Sequence, residues 1–359
     1  MNVAIVYDRV NKWGGAERVL LALHEIFPKA HLFTSVYDPK GAPWAKVFPQ
    51  VHTSFLQSLP LAKKYHELFG VLMPKAFESF DFSGHDLVIS VTSEAAKGIK
   101  AGSKTLHICY CLTPTRYLWS HHDLYFKNPL LKFFSRPAVK YLKKWDQKAA
   151  KKPHGIIAIS TEVKNRIKKY YRRDAAVIFP PVDIKKFPVS SKTPKYYLLV
   201  SRLDYGYKKV DLAIEAFNKL GKKLIIVGTG REQNKLRKKA KGNIKFVGSV
   251  SEKKLSSYYK GARALIMPQE EDFGIVAVEA QAQGIPVIAF AKGGAIDTVV
   301  PGRTGIFFSE QNSISLIDAV KSFEKRKFEI RKIKANAARF SKARFKKEML
   351  ALIAKHSIQ

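Results

Sequence analysis

The chain has 359 residues, enough for two domains of ordinary size, and 46% of it is hydrophobic, enough to fill a core in each. No apolar run approaches the roughly 20 residues that span a bilayer, and the start MNVAIVYDRV lacks a basic segment and a cleavage site, so neither a transmembrane helix nor a signal peptide is expected. The net charge of +35 attracts polyanions (nucleic acid, anionic lipid headgroups or phosphorylated substrates) unless it reflects a generally basic proteome.

The first half alternates strands with helices. Residues 3–6, VAIV, form a buried-strand run. After a short loop, Gly14-Gly15-Ala16-Glu17-Arg18 opens a helix carrying Val19, Leu20, Leu23, Ile26 and Phe27. A glycine turn between strand and helix lets backbone come close to a phosphate. Further strand runs lie at 31–37, 87–91, 106–111 and 156–159. Such alternation predicts a parallel sheet with helices on both faces. Cys109 and Cys111 alternate within one strand, point to opposite faces and are expected to stay unbridged, as in a reducing compartment. The aromatic and basic stretch 55–82 reads either as a helix packed on the core or as an amphipathic membrane-facing surface. Basic residues concentrate in 127–152, where Lys132, Arg136, Lys140, Lys143, Lys144, Lys148, Lys151 and Lys152 surround Asp146 alone.

Phe179-Pro180-Pro181, Pro188 and the stretch 190–194, SSKTP, disfavour helix and strand and mark an interdomain linker. The alternation then restarts, with strands at 196–200, 224–227, 244–247, 264–267, 285–289 and 306–308 and an amphipathic helix at 210–220. This reads as a second doubly wound domain. Its loops Ser201-Arg202-Leu203-Asp204, Gly228-Thr229-Gly230 and Gly248-Ser249-Val250 follow strands, where open α/β sheets bind ligands. From about Arg331 the chain is helical and basic.

The stretch 268–284, PQEEDFGIVAVEAQAQG, joins strand, acidic loop and helix. A helix opening at Gly274 offers unpaired amides and partial positive charge, which together make an anion site. Glu270, Glu271 and Asp272 before it and Glu279 within it are placed to accept hydrogen bonds from hydroxyls. An anion with hydroxyls on both sides describes a nucleotide sugar. Arg202 and Lys208 add positive charge after another strand, and arginine binds phosphate bidentately. Glu271 and Glu279 lie at most about 12 Å apart along a helix, room for a diphosphate between a hexose and a ribose.

Together these motifs resemble the family 4 retaining glycosyltransferases of GT-B fold, over essentially the whole chain. The carriers are Gly14 to Arg18, Val200-Ser201-Arg202-Leu203 with Lys208, Val227-Gly228-Thr229-Gly230, and Glu271 and Glu279 with Asp272-Phe273-Gly274 between them. The run 110–119, YCLTPTRYLW, is similar to the mannosyltransferase-like branch of O-antigen and exopolysaccharide assembly. The resemblance implies an α/β GT-B architecture of two Rossmann-like doubly wound domains facing a cleft. An acceptor-side domain would occupy 1–181, a nucleotide-sugar-binding domain 182–340, and a C-terminal helix in 341–359 would return to the first domain. It further implies transfer of a hexose, with GDP-mannose the favoured donor, to a saccharide or polyprenyl-linked acceptor in cell-surface polysaccharide synthesis. The expected setting is the cytoplasm, and the stretches 55–82 and 127–152 separately suggest peripheral association with the anionic inner face of the cytoplasmic membrane.

Glu271, Arg202 and Lys208 are the implied catalytic residues, with Arg202 and Lys208 on the diphosphate. Glu271, with the backbone of Phe273, Gly274 and Ile275, would hold the transferred sugar and Glu279 the ribose, and Asp272 belongs to the donor site. Gly14 and Gly15 would approach the phosphates from the opposite side, Gly230 belongs to the donor site, and Val250 borders the base. Thr113 and Arg116 fall on the acceptor side.

No metal and no cofactor is expected, since there is no Asp-x-Asp pair and no His/Cys ligand spacing. One position departs from the pattern: Leu112 stands where many relatives of this branch carry histidine before Thr-Pro. Leucine neither donates a hydrogen bond nor exchanges a proton, His107 sits back in the strand, and His121 and His122 follow on the next segment. In front-face displacement the departing diphosphate helps take the acceptor proton, so the chemistry depends mainly on charge stabilisation and positioning. An active enzyme with an altered centre is therefore expected, and a nucleotide-sugar or polyanion binder without catalysis is the alternative. Nucleic acid is not expected as a partner, because no recognised module is present. An NAD-dependent oxidoreductase would need a GxGxxG turn that is missing.

Overall fold

The computed structural model describes residues 1–120, 122–125, 128–184, 194–204 and 206–357. The chain forms two compact units, Met1–Pro181 with Phe345–Gln359, and Val182–Arg344. The linker residues Pro188 and 190–193 lie outside the described residues.

The first unit is built on β1 (Val3–Tyr7), β2 (His31–Thr34), β3 (Val51–Thr53), β4 (Leu87–Thr92), β5 (Leu106–Cys111), β6 (Gly155–Ala158) and β7 (Ala176–Val177). They pair in the order β3-β2-β1-β4-β5-β6-β7, every neighbouring pair parallel. β1 and β4 are buried along their whole length. That is why they read as continuous apolar runs, since helices cover both faces of a parallel sheet. The outer strands β3 and β7 carry no buried run, so no apolar signal announced them. Strand order reverses between β1 and β4, which puts their carboxyl ends at the crevice where such sheets bind ligands.

Residues 55–82 do not form one helix. They fold into short 3-10 turns at Phe55–Ser58 and His66–Leu72 and an α-helix at Met73–Glu78. Pro60, Gly70 and Pro74 interrupt the helical period. Leu56, Met73, Ala76, Phe77 and Phe82 enter the core around Phe33, while Phe55, Leu61, Tyr65 and Leu68 stay exposed. Cys109 and Cys111 are buried free thiols. The helix Lys342–Ser357 buries Phe345, Met349 and Ile353, one face at a spacing of four, and Phe345 meets the Tyr110 ring edge-on at 5.8 Å.

The second unit is built on β8 (Tyr196–Val200), β9 (Leu224–Val227), β10 (Ile244–Gly248), β11 (Ala262–Met267), β12 (Val287–Phe290) and β13 (Gly305–Phe308). The order is β10-β9-β8-β11-β12-β13, again parallel throughout. The helix Val210–Leu220 buries Val210, Ala213, Ile214 and Phe217 against Tyr197, Ile226 and Ile266. It stops at Gly221, whose φ of +65° is the left-handed cap that glycine adopts without penalty. Here strand order reverses between β8 and β11.

Candidate active site

In the second unit, the loops that leave β8 and β11 start side by side. After β8 Arg202 is exposed, and a 3-10 turn, Gly206–Lys208, leads into the helix Val210–Leu220. Lys209 joins turn to helix in the left-handed region, φ +51°, a conformation that costs a residue with a side chain about 1 kcal/mol. After β11, Gly274 has φ +88°, and a Cβ there would come within 3.2 Å of Met267 Sδ, so both backbone and space call for glycine. The helix Ile275–Ala282 follows, and its N-cap, Gly274, offers no side chain to cap it.

The two loops are joined by Lys208, which donates to Glu271 Oε1. Gln269 Nε2 donates to the same oxygen at 3.0 Å, and the Lys208 ammonium lies 5.0 Å from the centre of the Tyr207 ring. Lys208 is only 9% exposed, so its charge acts in a medium of lower dielectric than bulk water. An ammonium has three donors, and the bond to Glu271 uses one. Glu279 is 1% exposed, and the buried Tyr259 hydroxyl donates to its Oε2 at 2.9 Å.

The acidic loop is held from a second side by Gly293 and Gly294. The Gly294 amide donates to the Glu271 carbonyl at 2.7 Å, and a Cβ at Gly294 would lie 2.3 Å from Phe273 Cα. The Phe273 side chain is buried edge-on to Phe340 at 5.5 Å, which leaves its backbone to shape the helix start. Sequence reasoning missed Gln269, Tyr259, Gly293 and Gly294. A glycine pair in the loop after a strand was the available signal for the last two, and the first two carry none.

The remaining second-unit candidates sit on neighbouring loops. Gly228 and Gly230 pack on the loop after β8: added Cβ atoms would lie 1.8 Å from Ser201 O and 2.3 Å from Leu203 C. The absence of a side chain at Gly230 is thus explained by loop-to-loop packing. Val250 is half-buried just before the helix Glu252–Lys260, which Ser251 caps.

The first unit uses its crevice differently. Asp8, after β1, accepts from Thr92 Oγ1 at 2.7 Å and from the amides of Ser93, Glu94, Ala95 and Ala96 at 2.7, 3.0, 2.9 and 2.9 Å. The amide cluster after β4 is therefore filled by the chain's own carboxylate, and Arg9 pairs with Glu94 beside it at 2.7 Å. Gly14 and Gly15 lie exposed where the helix Gly15–Ile26 starts. Thr113 is buried, and its hydroxyl has no hydrogen-bond partner among the described residues. Arg116 is half-buried at the start of a short helix, Arg116–Trp119. The half-buried Leu112 donates its amide to Thr92 O at 2.8 Å.

His107 is buried inside β5, its Nε2 2.8 Å from Ser90 Oγ. Burial first, then the neighbouring His154, pull its pKa down to about 3, so it is neutral at ordinary pH. His122 lies 3.6 Å from the Asp123 carboxylate, and His121 is outside the described residues. Among the described residues no cluster of three or more His, Cys, Asp or Glu has a metal-holding arrangement, and no helix is long and apolar enough to cross a membrane.

Residues 13–186 match the family Glycosyltransferase Family 4, and residues 182–340 match Glycosyl transferases group 1. The chain is 31% identical over 164 residues to a glycogen synthase of Mycobacterium tuberculosis, covering 42% of this chain and 39% of the synthase. It is 39% identical over 94 residues to a GDP-mannose-dependent monoacylated alpha-(1-6)-phosphatidylinositol monomannoside mannosyltransferase of Corynebacterium glutamicum, covering 23% of this chain and 24% of that protein. The chain thus spans well under half the length of these curated relatives. The solved structure of sucrose-phosphate synthase from Thermosynechococcus elongatus superposes with a TM-score of 0.75 at 17% identity, over 99% of both chains. At that identity the likeness bears on the fold, which is GT-B.

Proposed function

We propose that the chain, which has the GT-B fold and whose two halves match two glycosyltransferase families, moves a hexose from a nucleotide sugar to a saccharide or polyprenyl-linked acceptor. The observation that carries this reading is the Lys208–Glu271 pair at the carboxyl ends of adjacent strands, in front of a helix start whose N-cap is glycine. The second unit takes the nucleotide sugar. The N-cap of its helix is Gly274, which has no side chain to cap it, whereas the amides after β4 in the first unit are occupied by Asp8. The first unit takes the acceptor, with Thr113 and Arg116 on that side.

In this reading Arg202, Lys208 and the amides from Gly274 stabilise the negative charge that builds on the departing diphosphate, and such transfer depends chiefly on that stabilisation. Glu271 and the backbone of 272–275 hold the sugar, Glu279 the ribose, and Val250 borders the base. The bond from the sugar C1 to the phosphate oxygen breaks. A bond from C1 to the acceptor oxygen forms on the same face, retaining configuration, and the acceptor proton passes to the departing diphosphate. Neither metal nor cofactor takes part. Mannose is the favoured sugar and GDP-mannose the favoured donor, supported by the matching segment of a GDP-mannose-dependent relative. Cell-surface polysaccharide synthesis at the cytoplasmic face of the membrane is the proposed role. Leu112 favours a second reading, in which the nucleotide sugar binds without transfer.

The test is incubation of the purified protein with radiolabelled GDP-, UDP- and ADP-sugars and a panel of lipid-linked saccharides, alongside thermal shifts with each nucleotide sugar. Donor-specific labelling of an acceptor supports the transferase. Stabilisation by a donor with no transfer to any acceptor supports the second reading.

A further inference from the structure

We propose that the surface formed by the helices Pro129–Phe134 and Arg136–Ala149 seats this protein on an anionic lipid bilayer, with an apolar knuckle entering the headgroup layer and a basic stripe lying on it. The inference is read from these helices alone and does not depend on chemistry at Lys208 and Glu271. Arg136, Lys140, Lys144 and Lys148 repeat every fourth residue and are all exposed, so they form one stripe along the longer helix. Its opposite face buries Val139, Leu142, Asp146 and Ala149. The helix's one carboxylate is therefore turned inward, where Lys97 pairs with it at 2.5 Å, and it does nothing to neutralise the stripe.

Directly before this helix, Leu130, Phe133 and Phe134 follow the i, i+3, i+4 spacing of one helical face and are 68%, 58% and 74% exposed. Arg136 lies 5.4 Å over the Phe133 ring, so cation and apolar surface meet in one patch. The nearby Asp123 is taken up by Lys132 at 2.6 Å. Scattered exposed apolar residues are ordinary, but three on one face beside four cations are the pattern of an interfacial helix. Nucleic acid fits less well. It would gain from the cations but not from burying Leu130, and Phe133 and Phe134 stand edge to face at 5.6 Å instead of forming a flat stacking platform.

The full chain is sedimented with vesicles of phosphatidylcholine alone and of phosphatidylcholine with phosphatidylglycerol, at low and at moderate salt. Binding is expected to the anionic vesicles only, weakening with salt. The variant K140E/K144E/K148E is expected to bind more than about tenfold more weakly. The variant L130Q/F133Q/F134Q is expected to keep low-salt binding but to lose it at moderate salt. Unchanged circular dichroism and melting confirm that both variants fold. Equal binding to both vesicle types, no binding, or an apolar variant indistinguishable from the parent would each overturn the proposal. Single-stranded DNA that outcompetes vesicles, with the apolar variant unaffected, would reassign the stripe to nucleic acid.

Discussion

Lys208 and Glu271 lie 63 positions apart in sequence, and the bond between them joins the ends of two adjacent strands. Each is more than four-fifths buried as a side chain, so either one left alone is a poorly hydrated charge. In the proposed transfer the pair holds positive charge beside the departing group, so replacing Lys208 or Glu271 by alanine is expected to lower transfer about 100- to 1000-fold, with the loss in kcat. Stability is expected to fall by about 1–3 kcal/mol in each case. Steady-state transfer assays with urea melts measure both, and transfer rates equal to the parent's would remove the pair from the site.

Gly294 tests whether the acidic loop needs its neighbour. A methyl group there would meet backbone, Phe273 Cα at 2.3 Å, which no rotamer change relieves. Gly294→Ala is expected to cost about 1–3 kcal/mol and to lower transfer by shifting Glu271. Gly206→Ala is the control, since nothing lies within 4 Å of its added Cβ, and its stability is expected to stay within about 0.5 kcal/mol of the parent. Melting midpoints of the two variants decide it, and equal midpoints would mean that the loop yields.

Buried strands such as β1, β4 and β11 were legible in the sequence because a parallel sheet covered on both faces must be apolar along its length. The acidic loop, Gly274 and the helix carrying Glu279 were legible for a related reason, that a helix start after a strand needs particular backbone. What failed to show were features set by three-dimensional neighbours. Tyr259 reaches Glu279 from another helix, and Asp8 is satisfied by amides more than 80 residues away. The stretch 55–82 has a helix-like apolar content, but its prolines and glycine divide it. The same isolation hides Asp146, a lone acid among lysines in sequence and a fully used carboxylate in the fold.

Asp146 accepts from Thr115 Oγ1 at 3.2 Å, Trp119 Nε1 at 2.7 Å and Tyr171 Oη at 2.8 Å, and pairs with the buried Lys97. It thereby ties the segment bearing Thr113 and Arg116 to two helices. Burial disfavours the charged form of Lys97, and Asp146 more than offsets this, so the net pKa shift is upward. Asp146→Ala is expected to destabilise the protein by about 3–5 kcal/mol, because it strands a buried ammonium. Lys97→Met with Asp146→Leu is expected to recover part of that loss, since no charge remains to be buried. Urea denaturation of the single and double variants checks this, and a double variant less stable than the single would count against the account.

His107 makes stability depend on pH with a definite sign. Its folded pKa is pulled down to about 3 from the ordinary 6.5, first by burial. Between those values the unfolded chain holds a proton that the folded chain refuses, so stability falls as pH drops below about 6.5 and is complete above it. At pH 5 this single group is expected to cost about 2 kcal/mol relative to pH 7.5. His107→Gln retains a partner for Ser90 and removes the titration, so its stability is expected to decline less over the same interval. Some slope remains in the variant, because His66 is also lowered to about 3, again chiefly by burial. Urea midpoints of parent and variant at pH 7.5 and pH 5 measure the difference, and parallel declines would show that His107 takes up its proton without unfolding.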